Sequence, residues 1–138
     1  MRYLGLDIGD RWIGVAVSDP SAMLASPLTI LKRTREDDDL AAIGDIIKQH
    51  EIGEVIVGLP VSLNGTLGRQ AEKVQRFTDR LRECIDVPLE YSDESMSTAS
   101  ARDLMRQTTP KKKRQNTRDD AIAAAFILQG FLDEARHT

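Results

Sequence analysis

Residues 2–18 read R-Y-L-G-L-D-I-G-D-R-W-I-G-V-A-V-S, two apolar seven-residue runs separated only by Gly9-Asp10-Arg11. Glycine and aspartate suit a tight reversal, so the pair reads as a β-hairpin, and a chain that opens on a hairpin begins its sheet antiparallel. One residue sits awkwardly in that pattern. Asp7 falls inside the first run, where a carboxylate is costly to bury unless it is paired, hydrogen-bonded or bound to a cation. Choosing among these depends on which other acids the fold brings near it.

The pattern downstream changes from strands to alternating helices and strands. A third strand is expected around 28–31, after Pro27, and a helix over 36–50 with Leu40, Ile43, Ile46 and Ile47 on one face. The acids Glu36, Asp37, Asp38 and Asp39 open that helix, where they meet its positive dipole end, so they read as structural rather than metal-binding. Residues 54–60, E-V-I-V-G-L-P, form a short continuous apolar run that suits a buried parallel strand. Asn64-Gly65 marks a turn; Ala71, Val74, Phe77 and Leu81 then define a helix face ending near Cys84.

A strand over 87–91 is followed by Asp93-Glu94, and Ser97 can cap a helix carrying Thr98, Ala101, Leu104 and Met105. Residues 107–118 form a polar, basic loop. Residues 120–132 are apolar nearly all round, so that helix must be buried on more than one side. The order predicts an α/β domain with a mixed sheet, antiparallel at the start and parallel later. At 138 residues the chain is expected to be one domain, 1–138.

Several chemistries are poorly served by this composition. Cys84 is the single cysteine, so neither an internal disulfide nor a thiolate metal site can form. His50 and His137 fall at a helix end and the chain end and read as solvated surface residues, which leaves a Ser-His-Asp hydrolase without support. No window approaches the roughly 20 apolar residues of a membrane span, and no signal-peptide pattern suggests secretion. The net charge of −3 opposes global capture of nucleic acid, yet residues 102–118 carry seven basic residues and one acid. That asymmetry points to a local contact with an anionic polymer.

Three acids adjoin elements that should be buried. Asp7 lies within the first strand, Glu94 follows the strand over 87–91, and Asp120 shares a helical face with Ala124, Ile127 and Phe131. Each also has a local reading: backbone amides for Asp7, a turn for Glu94, and for Asp120 a capping box begun by Thr117. Brought together, three carboxylates repel one another unless a cation compensates. Mg²⁺ and Mn²⁺ prefer such oxygen donors, and two such ions can activate water and stabilise the leaving oxygen of a phosphodiester.

The motifs L-G-L-D-I-G-D-R-W-I-G-V-A-V-S-D, V-I-V-G-L-P-V-S-L-N-G-T, Y-S-D-E-S-M-S-T-A-S-A and D-D-A-I-A-A-A-F-I-L-Q-G-F-L occur in that order. Together they resemble the bacterial YqgF (RuvX) family, described both as Holliday-junction resolvases and as pre-16S rRNA processing nucleases. The resemblance implies a ribonuclease H-like fold with a five-stranded mixed sheet, a cytoplasmic location, a role in ribosome biogenesis, and metal-dependent cleavage of nucleic acid. The family's acids fall on Asp7, Glu94 and Asp120, with Asp93 as the alternative in the middle position and Asp119 disfavoured by its direction on the helix. By the same resemblance, Gly58-Leu59-Pro60 and Asn64-Gly65-Thr66 form a loop beside the active face. Where the family commonly reads D-E-R this chain reads D-E-S, so Ser95 replaces a residue able to bind phosphate bidentately.

Lys111, Lys112, Lys113 and Arg114 precede the last helix and are positioned to contact phosphates without reading sequence. Two alternatives stay open at this stage. One is a non-catalytic RNA-binding assembly factor that uses the basic loop. The other is one lobe of an actin-like ATPase, since D-I-G-D-R-W-I-G-V-A-V also resembles a phosphate-binding hairpin, although no Walker pattern accompanies it.

Overall fold

In the computed structural model the described residues are 1–60, 68–93 and 118–136, with the backbone alone at 93, 118–120 and 136. The expected turn at Asn64-Gly65, the helix after Ser97, the basic loop and His137 lie outside them. Strands β1 (Arg2–Ile8), β2 (Trp12–Ser18) and β3 (Ala25–Lys32) precede helix α1 (Glu36–Gln49). Strand β4 (Ile52–Leu59), helix α2 (Arg69–Cys84), strand β5 (Leu89–Asp93) and helix α3 (Arg118–Arg136) follow. The five strands lie in the order β3-β2-β1-β4-β5, antiparallel across β1–β2–β3 and parallel across β1–β4–β5. The mixed sheet expected from the sequence is therefore the observed one.

Three strand starts differ from expectation: β4 begins at Ile52, two residues ahead of Glu54, and proline bears on the other two. β3 starts at Ala25, ahead of Pro27, with a register shift opposite Val15 and Ala16. An edge strand with a bulge tolerates a residue that cannot donate to the ladder. β5 begins at Leu89 rather than 87, because Pro88 offers only its carbonyl, which accepts from the Val55 amide at 2.9 Å. The strand then runs on to Asp93.

Alternation along β1 divides the core. Leu4, Leu6 and Ile8 join Ile13, Val15, Val55 and Val57 against α1 and α2. The opposite face packs on α3, through Ala16 and Ile56 against Ala124, Ala125, Leu128 and Leu132. Tyr3 meets Phe131 there with ring centroids 5.7 Å apart. Gly5 lets the helix come closest: a Cβ at that position would lie 2.8 Å from the Leu128 Cβ and 3.0 Å from the Ala124 carbonyl oxygen. Alanines on α3 and glycine on β1 are what allow helix and sheet to approach this far.

The acidic opening of α1 is structural, through ion pairs more than through the dipole. Asp39 is buried and holds the Arg33 Nε at 2.9 Å, while Arg33 Nη1 donates to the Gly9 carbonyl at 2.8 Å. The same guanidinium lies 4.8 Å over the Phe77 ring. One side chain thus ties the hairpin turn to both α1 and α2. Glu36 and Asp37 are taken up by Arg80 of α2.

Candidate active site

Asp7 lies on the α3 face of β1, two positions beyond Gly5, and is 8 % exposed. Its neighbour across the antiparallel pair is Gly14. On the parallel side, the register Leu6↔Val57 continues to bring Gly58 beside Asp7, and Gly58 in turn pairs with Ser92. The carboxylate therefore occupies a row whose immediate neighbours carry no side chain. Such a row leaves room beside the acid that larger residues would close.

The contacts of α3 give the helix a register on β1. Phe131 meets Tyr3, and Leu128 with Ala124 meets Gly5. Two strand residues advance ~6.6 Å and four helical residues ~6 Å, so the two elements step together. One further step brings the backbone of Asp120 to the level of Asp7. Asp120 is the third residue of α3, the position a capping box begun at Thr117 requires, though Thr117 itself lies outside the described residues. The helix starts two residues earlier than expected and continues to Arg136.

Glu94 lies just outside the described residues, immediately after β5. The ladder still bears on the choice between Glu94 and Asp93. Asp93 takes the register position of Leu59, which packs with the α1/α2 core, whereas Ser92 takes that of Gly58 in the row of Asp7. Lys111, Lys112, Lys113, Arg114 and Ser95 also lie outside the described residues. Among the described residues no three His, Cys, Asp or Glu side chains gather as metal ligands. Asp7 is the one member of the expected acid set whose side chain is described, and a buried oxygen donor on a glycine-flanked row suits a hard divalent cation.

A second meeting of acids escaped the sequence reading. Glu54 opposes Tyr3 and hydrogen-bonds Glu90 on the same α3 face, at the end of the sheet away from Asp7. Burial first, then the hydrogen bond and negative charge of Glu90, hold the Glu54 carboxyl above its usual range. The folded state therefore binds this proton more tightly than the unfolded chain. Its contribution to stability is complete below the unfolded value of 4.5 and is lost as pH rises through the folded one. Glu54→Gln keeps a donor to Glu90 without needing a proton, so its melting temperature should gain on the parent as pH increases. A constant difference across thermal melts from about pH 4 to 8 would contradict that. Sequence alone offered only like charges on adjacent strands, with no register to join them.

The family model described as "RuvX: Holliday junction resolvase" matches residues 1–134. A relative from Roseiflexus sp. (strain RS-1), named "Putative pre-16S rRNA nuclease", is 42% identical over 135 residues, covering 98% of this chain and 96% of its own. A relative of the same name from Dehalococcoides mccartyi is 46% identical over 127 residues, 92% of this chain and 94% of its own. Among solved structures, Thermus thermophilus RuvC in complex with a Holliday junction substrate superposes with a TM-score of 0.64 at 16% identity, covering 100% of this chain and 97% of that one. The fowlpox virus Holliday junction resolvase gives 0.59 at 12% identity, with 97% and 99% covered. At these identities the two structures speak for a shared fold.

Proposed function

The chain belongs to the RuvX family of Holliday junction resolvases and is a nuclease, and from that premise we propose a metal-dependent endonuclease that cuts structured nucleic acid. Its substrate is the 5′ end of pre-16S rRNA, a four-way DNA junction, or both, since the bond to be broken is the same. The observation that carries the reading is Asp7, buried on a row flanked by glycine. Asp7, Glu94 and Asp120 would hold Mg²⁺ or Mn²⁺; a pair of such ions supplies an activated water and stabilises the departing oxygen. Glu94 is preferred to Asp93 because Asp93 takes the register position of Leu59, off the row of Asp7.

The chain's own contribution is positioning. The ladder to β2 fixes the backbone of Asp7, so its place on the sheet is set before a cation binds. Lys111, Lys112, Lys113 and Arg114 would hold phosphates of the substrate before the last helix, with an affinity that falls as salt rises. Ser95 offers a hydroxyl where an arginine would offer a fork, so more of the substrate's positioning rests on that basic segment. No helix among the described residues is long and apolar enough to cross a membrane, and the reading places the chain with its substrate in the cytoplasm.

The test offers the chain a 5′-extended 16S precursor and a four-way junction, with Mg²⁺, Mn²⁺ or chelator. Scission that appears with either ion and vanishes with chelator is the expected result. Tight binding without turnover under any divalent ion would favour a non-catalytic assembly factor, the reading that Ser95 motivates.

A further inference from the structure

Trp12 is the chain's single tryptophan, and the fold makes little use of it. It is half-buried but belongs to neither hydrophobic cluster. Its indole N–H has no hydrogen-bond partner among the described residues. A tryptophan used for packing normally buries its ring and satisfies that N–H. This one does neither completely.

Its position on the sheet is more telling. Ile13 and Val15 of β2 face α1 and α2, so Trp12, Gly14 and Ala16 lie on the α3 face with Asp7. Asp7 pairs with Gly14, which puts Trp12 on the diagonal from Asp7. Diagonal neighbours in an antiparallel pair lie about 7–8 Å apart, within reach of an aromatic side chain. The neighbouring positions are glycines. Gly14 carries no side chain, nor does Gly9, whose amide donates to the Trp12 carbonyl at 2.9 Å. On the other flank Trp12 pairs with Lys32, which is exposed and has no carboxylate partner among the described residues.

We infer that Trp12 and Lys32 form a nucleotide subsite beside Asp7, in which an unpaired base stacks on the indole and Lys32 meets an adjacent phosphate. This rests on the nuclease reading above and adds a substrate feature to it: a nucleotide out of its helix next to the bond that is cut. Every base has a face to stack, so the subsite selects strand state rather than sequence. Fully paired duplex, whose bases are already stacked, gains little from the indole.

The experiment needs no added reporter on the protein. In chelator, the full chain is titrated with labelled single-stranded RNA and with blunt duplex, following label anisotropy and intrinsic tryptophan emission together. Emission should change in step with anisotropy for the single strand and much less for the duplex. Trp12→Ala should weaken single-strand binding about 5- to 150-fold, the loss of one stacked base, with Trp12→Phe restoring most of it. Lys32→Ala should flatten the salt dependence of single-strand affinity by about 0.7 in the log–log slope. Binding that raises anisotropy while emission stays fixed overturns the subsite and leaves the nuclease reading standing, as does equal loss of both probes in Trp12→Ala. Flat anisotropy with every probe removes both.

Discussion

Asp7→Asn should lower metal-dependent cleavage by about 10³-fold while the chain still folds. A cation that polarises a phosphoryl oxygen contributes several kcal/mol at the transition state, and each 1.4 kcal/mol is tenfold in rate. Asparagine keeps the shape and one oxygen but not the charge that draws the ion into a buried row. The stability data should separate loss of ion binding from damage to the fold. In chelator the variant should melt at or above the parent if Glu94 and Asp120 share the site as proposed, because one of three mutually repelling acids is then neutralised. With Mg²⁺ or Mn²⁺ at about 100 times its dissociation constant the parent should gain about 2.7 kcal/mol, and the variant much less. Full activity in Asp7→Asn would remove this residue from the mechanism.

That expectation began with one misplaced carboxylate, and the sequence was most readable where period and turn chemistry agree. The hairpin follows from two strand-like runs around Gly9-Asp10-Arg11, and the turn is closed by the Gly9 amide to the Trp12 carbonyl. Helices α1 and α2 follow from apolar residues at helical spacing, and Leu40, Ile43, Val74, Phe77 and Leu81 are all buried. Strand ends were less readable. Pro88 delays β5 and a bulge admits Pro27 into β3, and both effects depend on which ladder partner needs an N–H.

The candidate site was legible only as a list of acids. Which face Asp7 occupies depends on its alternation with Leu6 and Ile8, and what lies beside it depends on pairing with Gly14. The hairpin pairing is local in sequence, but the pairing with β4 that brings Gly58 to the other side is not. The same holds for Glu54 and Glu90, which meet only because β4 and β5 are neighbours, and for Asp39, whose partner Arg33 precedes the helix it opens. Trp12 had a different obscurity. In sequence it is one more apolar residue of a strand, and its departure from both hydrophobic clusters appears only once they are assembled.

Gly5→Ala, a single added methyl, should be more damaging than its size suggests. The new Cβ would sit 2.8 Å from the Leu128 Cβ and 3.0 Å from the Ala124 carbonyl oxygen, both close to the helix axis and neither able to swing aside. Ordinary carbon contacts need about 3.5–4.0 Å, so α3 must move by roughly 1 Å. Overpacking of this kind costs about 1–3 kcal/mol. The larger consequence concerns the acids. In the proposed site Asp120, in the first turn of α3, works beside Asp7, so a helix that retreats from Gly5 draws the two acids apart. A misplacement of about 1 Å at a reacting centre can cost about 10²-fold, which sets the expected loss in kcat. Single-strand binding in chelator should change far less, because Trp12 and Lys32 stand on strands rather than on α3. Gly44→Ala is the matched control: it adds the same methyl within α1, where nothing lies within 4 Å, and should stabilise by about 0.5–1 kcal/mol through helix propensity with cleavage unchanged. If Gly5→Ala lowers the melting temperature yet cuts at the parent's rate, then α3 does not set the geometry at Asp7, and Asp120 loses its assigned place beside it.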